Sequence, residues 1–152
     1  MAHNSNATAP TTTCPLPTVK FGPAGRIVTK LGFGGIPIQQ LSADEAIAVV
    51  KACFAGGMRV FDTARGYTNS EERIGIALKD VRDEIFLITK SPAKDLATLR
   101  THFTTSLHNL QTGYVDLFLF HNVSRPDHLE AILNAGLLDW MREQQAAGKV
   151  RM

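Results

Sequence analysis

The sequence predicts an α/β fold of about four βα units on a parallel sheet, preceded by a β-hairpin. Three observations carry that prediction. Short apolar runs alternate with amphipathic helical patterns, four candidate strand ends recur at near-constant intervals, and a turn-rich tetrapeptide splits two β-prone runs ahead of the first helix. Strands that alternate with helices pair in parallel, because each crossover helix returns the chain to the same end of the sheet.

Taken in order, residues 1–17, "MAHNSNATAPTTTCPLP", read as a disordered Thr-rich leader. In "TVKFGPAGRIVTKLGFGG", Gly22-Pro23-Ala24-Gly25 marks a hairpin turn, and a further strand ends at Gly34-Gly35. The first helix starts at a capping box, Ser42-Ala43-Asp44-Glu45. It carries Ala46, Val49, Val50, Cys53 and Phe54 at three- and four-residue spacing and stops at Gly56-Gly57.

The same pattern then repeats: strand "MRVFD", helix "SEERIGIALK", strand "EIFLITK", helix "DLATLRTHFTTSLHNL", strand "YVDLFLFH" and one helix over "PDHLEAILNAGLLDWMREQQAAG". The strand ends Gly34, Asp62, Lys90 and His121 are 28, 28 and 31 residues apart, each interval holding one strand, loop and helix. "GKVRM" reads as a helix cap at Gly148 followed by the opening of another strand.

Composition narrows the function classes. With 152 residues, 44% of them hydrophobic and 20% charged, the chain holds enough apolar material for one globular core. A formal net charge of +2, spread rather than clustered, points away from nucleic acid and anionic membranes and toward small molecules or protein. No run reaches the roughly 18 apolar residues of a membrane span, and the start has neither the basic nor the apolar region of a signal peptide. Cys14 and Cys53 alone cannot build a disulfide framework or hold an iron–sulfur cluster, so a cytoplasmic setting is expected. His102, His108 and His128 have no partner at a metal spacing and are read as surface or core histidines, with no metal site.

In parallel α/β folds ligands sit at the carboxyl ends of the strands, where the loops converge. Three successive strands here end in Asp62, Lys90 and His121, and Tyr67 lies in the loop after Asp62. These four form a proton-transfer set. An adjacent ammonium favours ionisation of a phenol whose ordinary pKa is about 10, and a carboxylate keeps that ammonium charged and in place. Each residue alone also has a local reading: Asp62 as a turn cap with Thr63, Lys90 as a solvated strand end, His121 as a partner of Asn122, Tyr67 as loop packing. Their joint placement at successive strand ends favours the functional reading. "GFGG" at 32–35 lacks the third glycine of a dinucleotide fingerprint and is followed by "IPIQQ", so Gly34 and Gly35 are read as a place where backbone approaches a ligand closely.

"LGFGGIPI", "VFDTARGYTNSEERIGIAL", "FLITK" and "DLFLFHNV" together resemble the aldo-keto reductases, NAD(P)H-dependent (β/α)8 barrels of TIM type, over residues 18–152. "FDTARGYTNSEERIG" and "HNVSRPD" look most like a branch whose longer members append an iron–sulfur domain. The resemblance implies a catalytic tetrad of Asp62, Tyr67, Lys90 and His121. In it Tyr67 is the general acid toward a small-molecule carbonyl, and His121 orients and polarises that carbonyl. It places Asp62, Gly34 and Gly35 on the nicotinamide side and implies NADPH, or NADH, as cofactor. An eight-stranded barrel takes about 250 residues, and the family's main nucleotide-binding segments lie in its later strands. The expectation is therefore a truncated or partial form, either an N-terminal fragment of a longer enzyme or a half-barrel that pairs with itself or a partner. The alternative is a non-catalytic half-barrel fragment, or an accessory or binding subunit of the same family. "FLIT" and "DLFLF" are expected to face water on the inner side of the sheet.

Overall fold

The computed structural model describes residues 15–23 and 25–152, so the expected leader lies outside the described residues except for Pro15, Leu16 and Pro17. The carbonyl of Pro17 accepts the Lys30 N–H at 2.8 Å. Strands β1 (Thr18–Phe21) and β2 (Arg26–Thr29) form the expected antiparallel hairpin, with Val19 opposite Val28.

The main sheet contains β3 (Gly32–Gly34), β4 (Val60–Asp62), β5 (Phe86–Ser91) and β6 (Leu117–Phe120), in that spatial order and all parallel. Helices α1 (Ala43–Ala55), α2 (Ser70–Leu78) and α3 (Leu96–Asn109) connect them, and α4 (Pro126–Asn134) and α5 (Leu137–Ala146) follow β6. The capping box of α1 forms as expected: the Ser42 hydroxyl accepts the Glu45 N–H, and the Glu45 carboxylate accepts the Ser42 N–H. Four βα units are complete.

The core lies between the sheet and the helices. Phe61, Leu87 and Phe118 are buried there with Val50, Ile74, Leu99 and Phe103. Phe103 meets Phe118 and Trp140 edge-on, at centroid distances of 5.3 and 5.4 Å. Such aromatic pairs fix geometry as well as burying area.

Three expectations need correction. The helix expected over 126–148 is two helices, because Gly136 adopts φ 71° and a left-handed residue ends the run of helical hydrogen bonds. Helix α2 passes into a 3₁₀ segment, Lys79–Glu84, that leads into β5. The runs expected to face water do so only in part, because successive side chains of a strand alternate between its two faces. Leu87 and Phe118 point among the helices, and Phe86 lies under the hairpin against Phe21, ring centroids 5.5 Å apart. Ile88 and Leu117 are half-buried, and Leu119 is 37% exposed.

The last residues begin to pair along β6, as the "GKVRM" reading expects. Val150 forms a parallel bridge to Val115, and the Phe118 N–H donates to the Met152 carbonyl at 3.1 Å.

The amino ends of the strands converge on Asp116, which is fully buried. Its carboxylate accepts the Leu87 N–H at 3.0 Å and contacts Arg82 at 2.8 Å, Arg151 at 2.9 Å and Arg26 at 3.4 Å. The Arg82 and Arg151 guanidiniums both lie over the Tyr114 ring. Asp116→Asn leaves the buried Arg82 charge without its counterion and is expected to destabilise the fold by roughly 3–5 kcal/mol. Urea denaturation, read as a lowered midpoint at unchanged slope, checks this.

Candidate active site

Asp62 and Lys90 meet because of strand register. Asp62 pairs with Ile88 across β4 and β5, so Lys90, two residues further along, leaves the same face of the sheet just beyond the end of β4. Its ammonium donates to Asp62 Oδ1 at 2.5 Å and to the Thr63 carbonyl at 2.8 Å. The Lys90 side chain is 13% exposed and that of Asp62 40%, so the pair sits at a mouth open to water.

The loop that carries Tyr67 continues the ladder past the end of β4. Thr63 N–H donates to the Ile88 carbonyl and Arg65 N–H to the Lys90 carbonyl, at 2.9 and 2.8 Å. A turn follows, closed by Tyr67 N–H to the Ala64 carbonyl, with Thr68 at a positive φ of 37°. This folds the phenol back over the strand ends, and the Lys90 ammonium lies 5.2 Å from its ring centroid. His121 comes directly after β6, with its N–H on the Ser91 carbonyl at 2.8 Å. Its ring meets that of Tyr67 edge-on, and Tyr67 Oη lies 3.4 Å from His121 Nε2, at the long end of hydrogen bonding.

The four sequence-predicted residues therefore stand together at the carboxyl ends of the strands. Burial pushes the His121 pKa below its ordinary value of 6.5, the Lys90 ammonium pushes the same way, and the Asp62 carboxylate opposes. A neutral imidazole beside a phenol and an ammonium can take or give a hydrogen bond without competing for the charge.

Of the two glycines, Gly34 lies directly beside Asp62 in the β3–β4 register, is exposed, and has open space where a side chain would stand. Gly35 is packed against protein: an added Cβ would lie 2.4 Å from Ser70 Oγ, and its N–H donates to the Asp62 carbonyl at 2.8 Å. His108 is exposed, His102 is tied to Ser91, and His128 is buried in α4. Among the described residues no cluster of three or more His, Cys, Asp or Glu has a metal-binding arrangement.

The sequence reading missed the buried acid that braces the loop. Glu71 is 1% exposed, accepts the Thr89 hydroxyl at 2.7 Å and pairs with Arg65. The signal was present, since Glu71 shares the apolar face of α2 with Ile74 and Leu78.

Against this geometry the sequence and the fold can be compared with known proteins. The profile of the aldo/keto reductase family matches residues 30–152. Methylglyoxal reductase DkgA of Escherichia coli O157:H7 is 38% identical over 108 residues, covering 69% of this chain and 38% of the relative. An aldo/keto reductase from Brucella melitensis superposes with a TM-score of 0.70 at 33% identity, covering 90% of this chain and 51% of that one. One from Klebsiella pneumoniae, solved with NADP and acetate, also gives 0.70, at 27% identity, covering 90% and 48%. The chain thus spans about half the length of the solved chains it matches and less of the curated relative.

The electrostatics make a signed prediction. His121 is expected to titrate below 6.5 in an NMR pH series, and Lys90→Met to raise the midpoint by removing a neighbouring positive charge. Since the folded chain binds this proton less tightly than the unfolded one, His121 contributes a loss of stability as the pH falls through 6.5 toward the folded midpoint.

Proposed function

This chain belongs to the aldo-keto reductase family of (β/α)8 barrels, of which it holds about four βα units, and on that premise we propose that it serves NAD(P)H-dependent reduction of aldehydes or ketones to alcohols. The observation that carries the reading is the convergence of Tyr67 with Lys90, Asp62 and His121 at the carboxyl ends of three successive strands. Tyr67 gives its proton to the carbonyl oxygen. Lys90, held by Asp62 and the Thr63 carbonyl, favours the phenolate left behind, and His121 in its neutral form aligns the carbonyl with the phenol.

The strip beside Asp62 suits a flat ring, because Gly34 presents backbone alone there and, among the described residues, nothing lies within 4 Å of where its side chain would start. When bound, NAD(P)H supplies the hydride to the carbonyl carbon. Gly34 and Asp62 face its nicotinamide end. Gly35 acts behind them by letting the loop after β4 close up against β3. NADPH is the cofactor to try first, since a family member was solved with NADP. Methylglyoxal is the first substrate to try, since a relative is named for reducing it.

In this reading the four βα units work in the cytoplasm and cover their inner face by packing against the rest of a barrel, whether a longer chain, a second copy or a partner supplies it. Ile88, Leu117 and Leu119 line that face and are only partly buried. Light scattering on a sizing column is expected to give a mass above that of one chain, and a monodisperse monomer with cooperative unfolding would overturn the pairing.

Tyr67→Phe is expected to lower carbonyl reduction by roughly 10²- to 10⁴-fold, the usual contribution of a positioned general acid, while NADPH fluorescence still changes on binding. Near-normal turnover would remove Tyr67 from the role of acid. Binding without turnover in the parent chain would make it a binding or accessory subunit instead.

A further inference from the structure

The candidate site makes no direct use of His102, yet its imidazole is bonded to the residue next to Lys90. Alternation along β5 turns Lys90 toward Asp62 and Ser91 to the opposite side, toward α3. There the Ser91 hydroxyl lies 2.8 Å from Nδ1 of His102. Ser91 is 1% exposed, so the bond is made away from water. The same oxygen accepts the Ala93 N–H at 3.1 Å and still has a proton to give and a lone pair to receive one, so it can pair with Nδ1 in either tautomer of the imidazole. The Ser91 carbonyl meanwhile accepts the His121 N–H at 2.8 Å. Ser91 is thus tied by its side chain to α3, by its backbone to His121 and by the chain itself to Lys90.

We propose that His102 is a positioning residue: through Ser91 it holds the end of β5, and with it the Lys90 ammonium and the His121 backbone, in place against Tyr67. Helix α3 does not need the imidazole in order to dock, because Leu99, Phe103 and Ser106 form its buried face and His102 stands half-buried beside them. Burial therefore does not account for the bond to Ser91, whereas orientation of a strand end does. Misplacement of a catalytic group by a fraction of an ångström is enough to slow chemistry. The charged group near His102 on its own helix is Asp95, the N-cap residue of α3. His121 is faced by Lys90 from β5, by Asp62 from β4 and by Tyr67 from the loop between β4 and α2.

The catalytic meaning of this role rests on the reductase reading, but the positioning is measurable without turnover. In the full chain the His121 imidazole is followed by NMR through a pH series, its signal assigned with His121→Gln. Removal of the anchor by His102→Leu, or by the smaller change Ser91→Ala, is expected to loosen the strand end and let water and distance relieve the depressed His121 midpoint. That midpoint moves up, toward the ordinary value of 6.5. His102→Asn, whose amide can accept from or donate to the Ser91 hydroxyl where Nδ1 did, is expected to restore the parent value. If His102→Leu does not fold, Ser91→Ala with its far smaller loss of volume decides the matter. A His121 midpoint unchanged in the folded variants, or shifted as far in His102→Asn as in Ser91→Ala, would overturn the proposal. An inactive parent chain bears on the reductase reading alone, and an active chain with an unmoved midpoint bears on His102 alone.

Discussion

Asp62 lies opposite Ile88 in the pair of strands that carries the candidate site, and the rest of the site depends on that register. Side chains alternate along a strand, so a slip of one residue would turn Lys90 among the helices and bring Thr89 or Ser91 to the mouth. The same register lets the ladder run past Asp62, with Thr63 and Arg65 bonded to β5, and so sets where the Tyr67 loop turns back. In the next pair Lys90 lies opposite Leu119, two residues short of His121, which explains how one strand end serves both groups.

Two carboxylates at opposite ends of the sheet do different work, and burial decides which. Asp62 is 40% exposed, so its pair with Lys90 contributes little stability, in the range of about 0–1 kcal/mol measured for exposed pairs. Its effect is to orient an ammonium that also shapes the charge of His121. Asp116 is fully buried and carries three arginine contacts and a backbone N–H. The fold cannot lose it without stranding charge. This division, the proposed chemistry at the carboxyl ends and structure at the amino ends, follows the general rule for parallel barrels.

The inner face of the sheet shows the same interplay of alternation and cover. Phe86 is closed off by the hairpin, while Ile88, Leu117 and Leu119 stay partly open higher up. Cover depends on which residues the antiparallel hairpin reaches, and Phe21 reaches Phe86 at the start of β5.

The sequence by itself determined the four βα units, the strand ends, the capping box at Ser42 and the placing of Asp62, Lys90, His121 and Tyr67 at one end of the sheet. These follow from periodicity and turn chemistry, which act over a few residues. Only the tertiary structure decided that Gly136 breaks the last helix, that Glu71 is buried against Thr89 and Arg65, and that Gly35 packs on Ser70. It also decided the direction in which His121 titrates and the bond between Ser91 and His102. In most of these cases the partners are distant in the chain or carried by different elements, and they meet through strand register and helix docking. Burial and charge at a residue are properties of what surrounds it, which the spacing of residues along a chain does not contain.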